Sequence, residues 1–446
     1  MNDRNTGRSE ENGGLTRRDA LTAAGAAGAV ALAGCVSTTD GDGSSPTAEA
    51  STGADSDGSP DTDTATEGGD SESSGPYSVG VVNSLTGSLS AFGQRNERGM
   101  ELALADVNAV GIDGRDLALI AEDSESQAQS GVSAAQKLVN QDGVPFLIGA
   151  VGSGVSLAIY ESVVQGTDVV QLSQNSTSPD LTEFPGLLRM SPTGRAQSSA
   201  LADIVAEDGH DSVALTYINN EYGQGIADAF VDAYEGEIAY DSSHDQGQSS
   251  YASVVSELAS ADAPAWVFVT YQPEFTTMAQ EAYSSGYEAQ FYGADSVQGS
   301  DVLSNTPEGS LEGMKVVVPS AAVDQENYQS FASAFEESYG ETPTAWSAYM
   351  YDCVVTAALS IHAADEFTGA ALQETVRDVT RPEGEQVGTF EAASAILADG
   401  GTAADVDYQG VSGPIDFDEN GDPVGYLQIY TVEDHEYVSS GFVAGE

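Results

Sequence analysis

Residues 144–156, VPFLIGAVGSGVS, decide the fold, because an apolar run passes there into a glycine-rich turn and then into a helix. An apolar run without alternating polar residues predicts a strand that is buried on both faces, which is typical of parallel sheets. Gly149, Gly152 and Gly154 allow the backbone to turn sharply and to approach a ligand closely. A strand, a tight turn and a helix in this order predict a doubly wound α/β sheet.

The same alternation of apolar strands and amphipathic helices continues on both sides of this stretch. The first series of predicted strands is YSVGVV (77–82), DLALIAE (116–122), VPFLIGAV (144–151) and DVVQL (168–172). The second series is SVALTYI (212–218), IAYDSS (238–243), AWVFVTY (265–271), FYGAD (291–295) and KVVVPS (315–320). Two such series in tandem predict two doubly wound, Rossmann-like lobes. The first predicted helix starts at about Gln94, residues 325–400 are predicted to be mostly helical, and 410–432 to form short strands and tight turns.

The amino-terminal residues have the pattern of an export signal. In TRRDALTAAGAAGAVALAGC (16–35), the twin arginine Arg17 and Arg18 precedes a short apolar run that ends in Leu-Ala-Gly before Cys35. This order predicts cleavage before a cysteine that receives a lipid, and the twin arginine indicates the Tat route for folded proteins. The apolar run covers about 14 residues, whereas a bilayer span needs about 20. Residues 1–34 are therefore predicted to be a Tat lipoprotein signal peptide.

Residues 35–76 are predicted to be a lipidated, disordered and acidic linker. Beyond Val36 the segment contains neither aromatic nor large aliphatic residues before the folded part begins at Tyr77, so it cannot bury a core. The remaining chain of roughly 370 residues is longer than one ordinary core supports and predicts two domains.

The charge of the chain indicates its environment. It contains 71 acidic and 13 basic residues, for a formal net charge of −58, and its only lysines are Lys137 and Lys315. Such charge repels itself in dilute buffer, but the Debye length falls to about 3 Å at about 1 M salt. The composition therefore predicts a protein of a halophilic archaeon. It argues against nucleic acid as a partner, because phosphates need Lys and Arg.

Polar residues at strand ends are candidate ligand contacts, since ligands of doubly wound sheets bind beyond the carboxyl ends of the strands. Ser153 follows one predicted strand, Ser176 and Thr177 follow the next, and Asp295 ends a strand of the second series. Hydroxyls and amides on one lobe opposite a carboxylate on the other could hold both ends of a zwitterion. The alternative, that these loop residues only cap helices, remains open at this stage.

Patterns for catalysis, metals and cofactors are missing from the sequence. DFDENGD (416–422) begins like a calcium loop, but Pro423 interrupts it and Leu427 occupies the position of the bidentate glutamate, so a hairpin turn is predicted. Cys353 lies alone in an apolar stretch and is predicted to be buried. The histidines have no metal-binding spacing, and neither a nucleophile elbow nor a phosphate-binding loop is present. We expect a protein that is not an enzyme and has neither cofactor nor metal.

Over Tyr77 to Val438 the chain resembles the type I solute-binding proteins of ABC importers, most of all the branched-chain amino-acid (Leu/Ile/Val) binding family. The motifs that carry the resemblance are NSLTGSLSAFG (83–93), ALADVNAVGIDG (103–114), IGAVGSGVSLA (148–158), STSPDL (176–181), NNEYGQGIADAF (219–230), FVTYQPEFTTMAQEAYSSGY (268–287), FYGADS (291–296), TPTAWSAYMYDCVVTAALSI (342–361) and GPIDFDENGDPVG (413–425). The resemblance implies two lobes joined by three hinge crossings. The amino-terminal lobe would comprise 77–196 plus 321–408, and the carboxyl-terminal lobe 197–320 plus 409–446.

The resemblance also implies where the two ends of a ligand would lie. Its carboxylate would meet Ser153 and the neighbouring amides, including that of Gly154, together with Ser176 and Thr177. Its ammonium would meet Asp295, with Tyr222 closing over it from the second lobe. The side-chain pocket would be formed by Phe92, Tyr271 and Trp346.

Two departures from the family pattern leave other ligands open. Asp295 stands where the amino-acid binders usually have the longer glutamate, and Gly154 and Val155 replace a run richer in serine. Members of the family also bind amides, urea and aromatic acids.

The resemblance implies a monomer outside the cell that is anchored by the lipid on Cys35. It would capture an amino acid or a similar small polar solute and deliver it to the permease subunits of an ABC transporter. The alternatives are a sensory ligand-binding module and an exported hydrolase.

Overall fold

The computed structural model describes residues 75–444. The predicted signal peptide with Arg17 and Arg18, the lipidation site Cys35 and nearly all of the predicted linker lie outside the described residues. Within 75–444, the helices are each too short or too polar to span a bilayer.

Strands and helices alternate as the sequence predicts. A first run comprises β1 (Tyr77–Asn83), α1 (Ser90–Val110), β2 (Leu117–Asp123), α2 (Ala128–Asn140), β3 (Phe146–Gly149), α3 (Ser153–Ile159), β4 (Val170–Ser173), β5 (Leu187–Arg189) and α4 (Gly194–Glu207). A second run comprises β6 (Ser212–Ile218), α5 (Glu221–Ala233), β7 (Glu237–His244), α6 (Ala252–Ser260), β8 (Ala265–Val269), α7 (Gln272–Ser285), β9 (Gln290–Gly293), α8 (Ser300–Asn305) and β10 (Lys315–Ser320). The remaining elements are α9 (Glu326–Tyr339), α10 (Ala345–Ala363), α11 (Gly369–Thr375), β11 (Glu385–Val387), α12 (Phe390–Ala398), β12 (Val406–Gly410), β13 (Gly413–Pro414), β14 (Tyr426–Glu433) and β15 (Glu436–Ala444).

The first sheet has the strand order β2-β1-β3-β4-β5, and all its strand pairs are parallel. Every residue of β3 and β4 is buried, which for β3 confirms the prediction made from the apolar run at 144–151. Because helices cover both faces of a parallel sheet, these strands have no polar side to show to water. Helix α1 begins at Ser90, before the predicted Gln94, because Ser126 Oγ accepts a hydrogen bond from the backbone N–H of Leu89 (3.0 Å) and Leu89 itself is buried.

The second sheet has the order β15-β14-β10-β9-β8-β6-β7. Strands β6 to β10 are parallel to one another, and the antiparallel hairpin β14–β15 extends the sheet beyond β10. The predicted short strands at 410–432 are confirmed, whereas β5 and β15 were not predicted. β5 has only three residues, and β15 contains Ser439, Ser440 and Gly441 in its middle, so neither has a clear apolar pattern.

The chain passes between the two sheets three times within residues 75–444. It crosses after β5, returns after β10 to α9–α12 and the small sheet β11-β12-β13, and crosses again before β14. Helix α10 packs against α1 and is buried along most of its length, including Cys353, which confirms the burial predicted for this cysteine. Two doubly wound sheets with three crossings confirm the predicted fold class. The exact lobe boundaries at 77–196, 321–408, 197–320 and 409–446 remain predictions.

Candidate ligand site

The turn between β3 and α3 positions Ser153. Gly152 has a φ of +93°, and a Cβ at this position would lie 3.0 Å from Leu89 Cδ1, so the turn requires glycine. Ser153 is the first residue of α3 and is buried. Its Oγ accepts a hydrogen bond from the backbone N–H of Ser178 at 3.1 Å, which leaves the hydroxyl hydrogen free to donate.

The two predicted contact residues that follow β4 have different surroundings. Thr177 lines a cavity between the two sheets, whereas Ser176 points into the protein. Ser176 Oγ lies 2.7 Å from Ser173 Oγ and 2.8 Å from Ser156 Oγ. A ligand role for the Ser176 side chain stays a prediction, and its observed contacts hold the strand end together.

The second sheet contributes Asp295, which follows β9, and Tyr222, which lies in the first turn of α5. Asp295 is 5% exposed, and its Oδ1 accepts hydrogen bonds from Tyr222 Oη at 2.9 Å and Gln197 Nε2 at 3.0 Å. Tyr271, just after β8, stacks on Tyr222 with ring centroids 5.7 Å apart, and its Oη accepts from Asn220 Nδ2 at 3.0 Å. Both tyrosines are thereby fixed beside the carboxylate.

These residues surround one cavity with an empty volume of about 290 Å³. Its lining consists of Leu89, Phe92, Val151, Gly152, Ser153, Asn175, Thr177, Tyr222, Tyr271, Asp295, Ser296 and Trp346. Phe92 and Trp346 form one wall, with their rings edge to face and the centroids 5.4 Å apart. The cavity lies at the carboxyl ends of strands from both sheets, which is the place where open α/β sheets bind ligands.

The structure thus brings seven of the nine predicted contact residues to the cavity. Gly154 and Ser176 are the two that do not line it. At Gly154 a Cβ would lie 3.6 Å from Glu221 Cβ of α5, so this glycine faces the neighbouring helix.

Five lining residues were not predicted as contacts. Asn175 and Ser296 directly adjoin predicted contacts, so reading each strand end in full would have found them. Gly152 was predicted to let the backbone turn and approach a ligand closely, but not to be a contact residue. Leu89 and Val151 are apolar residues without a chemical signal, and only the fold places them here.

Burial sets the protonation of the polar groups in the cavity. It raises the pKa of Asp295, although the hydrogen bonds from Gln197 and Tyr222 act in the opposite direction. Burial, and then the charge of Asp295, raise the pKa of Tyr222 well above its usual value, and burial also raises the pKa of Tyr271. Both tyrosines therefore stay neutral, and Asp295 is the group whose charge a ligand can change.

Two other regions that could bind ligands differ from this cavity. A larger open groove of about 1530 Å³ lies over α1 and α9, and the residues that line it include none of the buried polar side-chain atoms that lack a partner. In the DFDENGD segment, Asp418 Oδ1 accepts from the backbone N–H of Asn420 and Asp422, and Asp422 forms an ion pair with the buried Arg189. Across residues 75–444, three or more His, Cys, Asp or Glu side chains do not come together as a metal site.

Comparisons with known proteins agree with this architecture. A family model described as "Periplasmic binding protein" matches residues 76–436. The "Leu/Ile/Val-binding protein homolog 3" of Brucella melitensis biotype 1 is 31% identical over 244 residues, which cover 53% of this chain. The match spans 64% of the length of that curated relative, just under two thirds.

Two solved structures share the fold. The leucine-binding protein LivK of Thermotoga maritima superposes with a TM-score of 0.72 at 21% identity, over 82% of this chain and 98% of that one. The branched-chain amino acid transporter substrate-binding protein LivJ of Streptococcus pneumoniae, in complex with isoleucine, gives 0.71 at 21% identity, over 83% and 99%. With a family model that matches most of its length and two sheets joined by three crossings, this chain belongs to the periplasmic binding protein family and has the type I fold.

Proposed function

We propose that this protein is the substrate-binding component of an ABC transporter and that it binds an amino acid between its two sheets. The observation that carries the proposal is the polarity of the cavity. Ser153 and Thr177 lie on the side of the first sheet, and the buried carboxylate of Asp295 lies on the side of the second. A zwitterion that places its carboxylate against the hydroxyls and its ammonium against Asp295 finds a complementary group on each side of the cavity.

The apolar wall supports an aliphatic side chain on the ligand. Leu89, Phe92 and Trp346 are each no more than 5% exposed and lie together in the cavity. The cavity is small and is lined by residues of both sheets, which favours a small ligand such as a single amino acid. The relatives are named for binding leucine, isoleucine and valine, which supports the same class of ligand.

The binding energy would come from short hydrogen bonds that are removed from water. In strong salt the long-range attraction between charges is screened, whereas a buried charge-assisted hydrogen bond is screened much less. Closure of the two sheets on the ligand would then present a distinct form of the protein to a permease.

The cellular setting is also part of the proposal. Tat export, a lipid on Cys35 and an acidic linker would hold the binding protein on the outer face of the membrane beside its permease. The net charge of −58 supports a halophilic, archaeal origin.

A neutral amide or urea is the second candidate ligand. The observation that favours it is the burial of Asp295, which raises the pKa of its carboxyl and makes the charged form costly. Isothermal titration calorimetry in strong salt, with leucine, isoleucine, valine, acetamide and urea, separates the two. We expect heat of binding from the amino acids, and binding of only acetamide or urea would contradict the proposal.

A further inference from the structure

Asn175, which adjoins the predicted contacts at the end of β4, lines the ligand cavity and has a buried, unpaired side-chain donor. The residue lines the cavity and is 7% exposed. Its Oδ1 accepts a hydrogen bond from Asn96 Nδ2 at 2.9 Å, whereas its own Nδ2 is buried and has no partner. Of the twelve residues that line the cavity, it alone has such an unpaired buried side-chain atom. A buried amide donor without an acceptor is costly, so a ligand that brings an acceptor to Nδ2 gains affinity from it.

The orientation of this amide is fixed by a relay of three asparagines. Asn83 Nδ2 lies 2.9 Å from the carbonyl oxygen of Gly93, which can only accept, so Asn83 must present its NH₂ there and its Oδ1 to Asn96. Asn96 must therefore use its NH₂ toward Asn83 Oδ1 (3.3 Å) and toward Asn175 Oδ1. Asn175 is left with its NH₂ as the free group, because exchanging its amide atoms would place two donors face to face.

The relay is part of the rigid interior of the first sheet. Asn83 ends β1 and is 1% exposed, and Asn96 lies in α1 and is fully buried. At Gly93 a Cβ would lie 1.9 Å from the carbonyl oxygen of Ser84, so α1 approaches the end of β1 as closely as glycine allows. The amide of Asn175 is therefore positioned before any ligand arrives.

We propose that Asn175 determines specificity by donating a hydrogen bond from Nδ2 to the ligand's carboxylate, with Asn83 and Asn96 as positioning residues. This inference rests on the proposed function. Ser153 and Thr177 lie on the same side of the cavity, opposite Asp295, so the acceptor end of the ligand faces Asn175. The NH₂ of an amide can only donate, so it cannot pair with a ligand group that is itself a donor. A site built to donate therefore discriminates strongly against ligands without an acceptor.

The test compares leucine with leucinamide, in which the carboxylate is a neutral carboxamide. Asn175→Asp is nearly isosteric, and it keeps an Oδ1 that accepts from Asn96 while its other oxygen replaces the donor. We expect leucine to bind about 10- to 100-fold more weakly to this variant, as for a lost hydrogen bond to a charged group. Leucinamide, whose NH₂ can donate to the new carboxylate, should lose less, so the leucine-to-leucinamide affinity ratio should fall.

Asn96→Ala tests the relay, and Asn108→Ala is its matched control. Asn108 lies in the same helix, and its side-chain amide bonds the backbone of Leu117 in β2, away from the cavity. We expect the leucine-to-leucinamide ratio to fall for Asn96→Ala and to stay unchanged for Asn108→Ala, even if both variants melt earlier. Asn175→Ala should lower the leucine-to-leucinamide ratio as well, and it replaces Asn175→Asp as the test variant if Asn175→Asp does not fold.

The outcomes separate the two proposals. If the wild-type protein binds neither leucine nor any other amino acid, the proposed function fails. If the wild type binds leucine and the folded Asn175 variants keep its leucine-to-leucinamide ratio, the inference is overturned and the proposed function stands.

Discussion

Replacing Asp295 with asparagine should remove most of the affinity for an amino acid. The side chain is 5% exposed, and its Oδ1 accepts from Tyr222 and Gln197. Asparagine keeps an oxygen for both donors, but it removes the negative charge and replaces the second carboxylate oxygen with an NH₂, which cannot accept from an ammonium. Loss of one partner of a buried, hydrogen-bonded charge pair costs about 2–5 kcal/mol, which corresponds to roughly 30- to 4,000-fold in Kd.

The assay is calorimetric titration with leucine in strong salt, supported by thermal unfolding. A ligand at about 100 times its Kd stabilises the folded state by about 2.7 kcal/mol. At the same ligand concentration, a variant with a hundredfold weaker Kd would retain only about 0.4 kcal/mol of this stabilisation. The exposed Asp365→Asn is the matched control, because it removes the same charge from the surface. An unchanged Kd in a folded Asp295→Asn protein would refute the ammonium–carboxylate reasoning.

Three further predictions concern pH, stability and export. Because the pKa of Asp295 is raised in the folded protein, leucine affinity should fall as pH falls through that pKa. The contribution of Asp295 to the stability of the unliganded protein is present at low pH and is lost as pH rises above the usual value of about 4. Calorimetry and thermal melting across pH measure both effects, and a leucine affinity that is independent of pH contradicts the prediction. Arg189→Met should lower the free energy of unfolding by about 3–5 kcal/mol, since it leaves the Asp422 carboxylate without its buried partner; denaturant titration tests this, and a loss below about 1 kcal/mol refutes it. Replacing Arg17 and Arg18 with lysine should retain the precursor in the cytoplasm, and normal surface amounts by cell fractionation would disprove Tat export.

The sequence predicts the alternation of elements well, because the buried strands are continuous apolar runs. The strand at 144–151 and the helix after it need no tertiary information, since their side chains alone distinguish buried from exposed faces. β5 and the serine-rich β15 escape the same reasoning, because β5 is too short for a pattern and β15 is an edge strand that depends on its pairing with β14.

The candidate site was predictable where chemistry and strand ends coincide. Ser153, Thr177 and Asp295 follow strands and carry polar groups, so sequence alone indicates them. The side chain of Ser176 has the same signal but turns inward to Ser156 and Ser173, which only the fold determines.

The free donor of Asn175 has a different origin. Its orientation follows from hydrogen bonds between residues that are far apart in the chain, and no local pattern contains that information.

The most direct test of the account is a crystal structure of the protein with leucine bound. The account predicts leucine in the cavity between the two sheets, with its ammonium within hydrogen-bond distance of Asp295 and its carboxylate within that distance of Ser153 and Asn175 Nδ2. Leucine in the reverse orientation, or bound in the groove over α1 and α9, would contradict it.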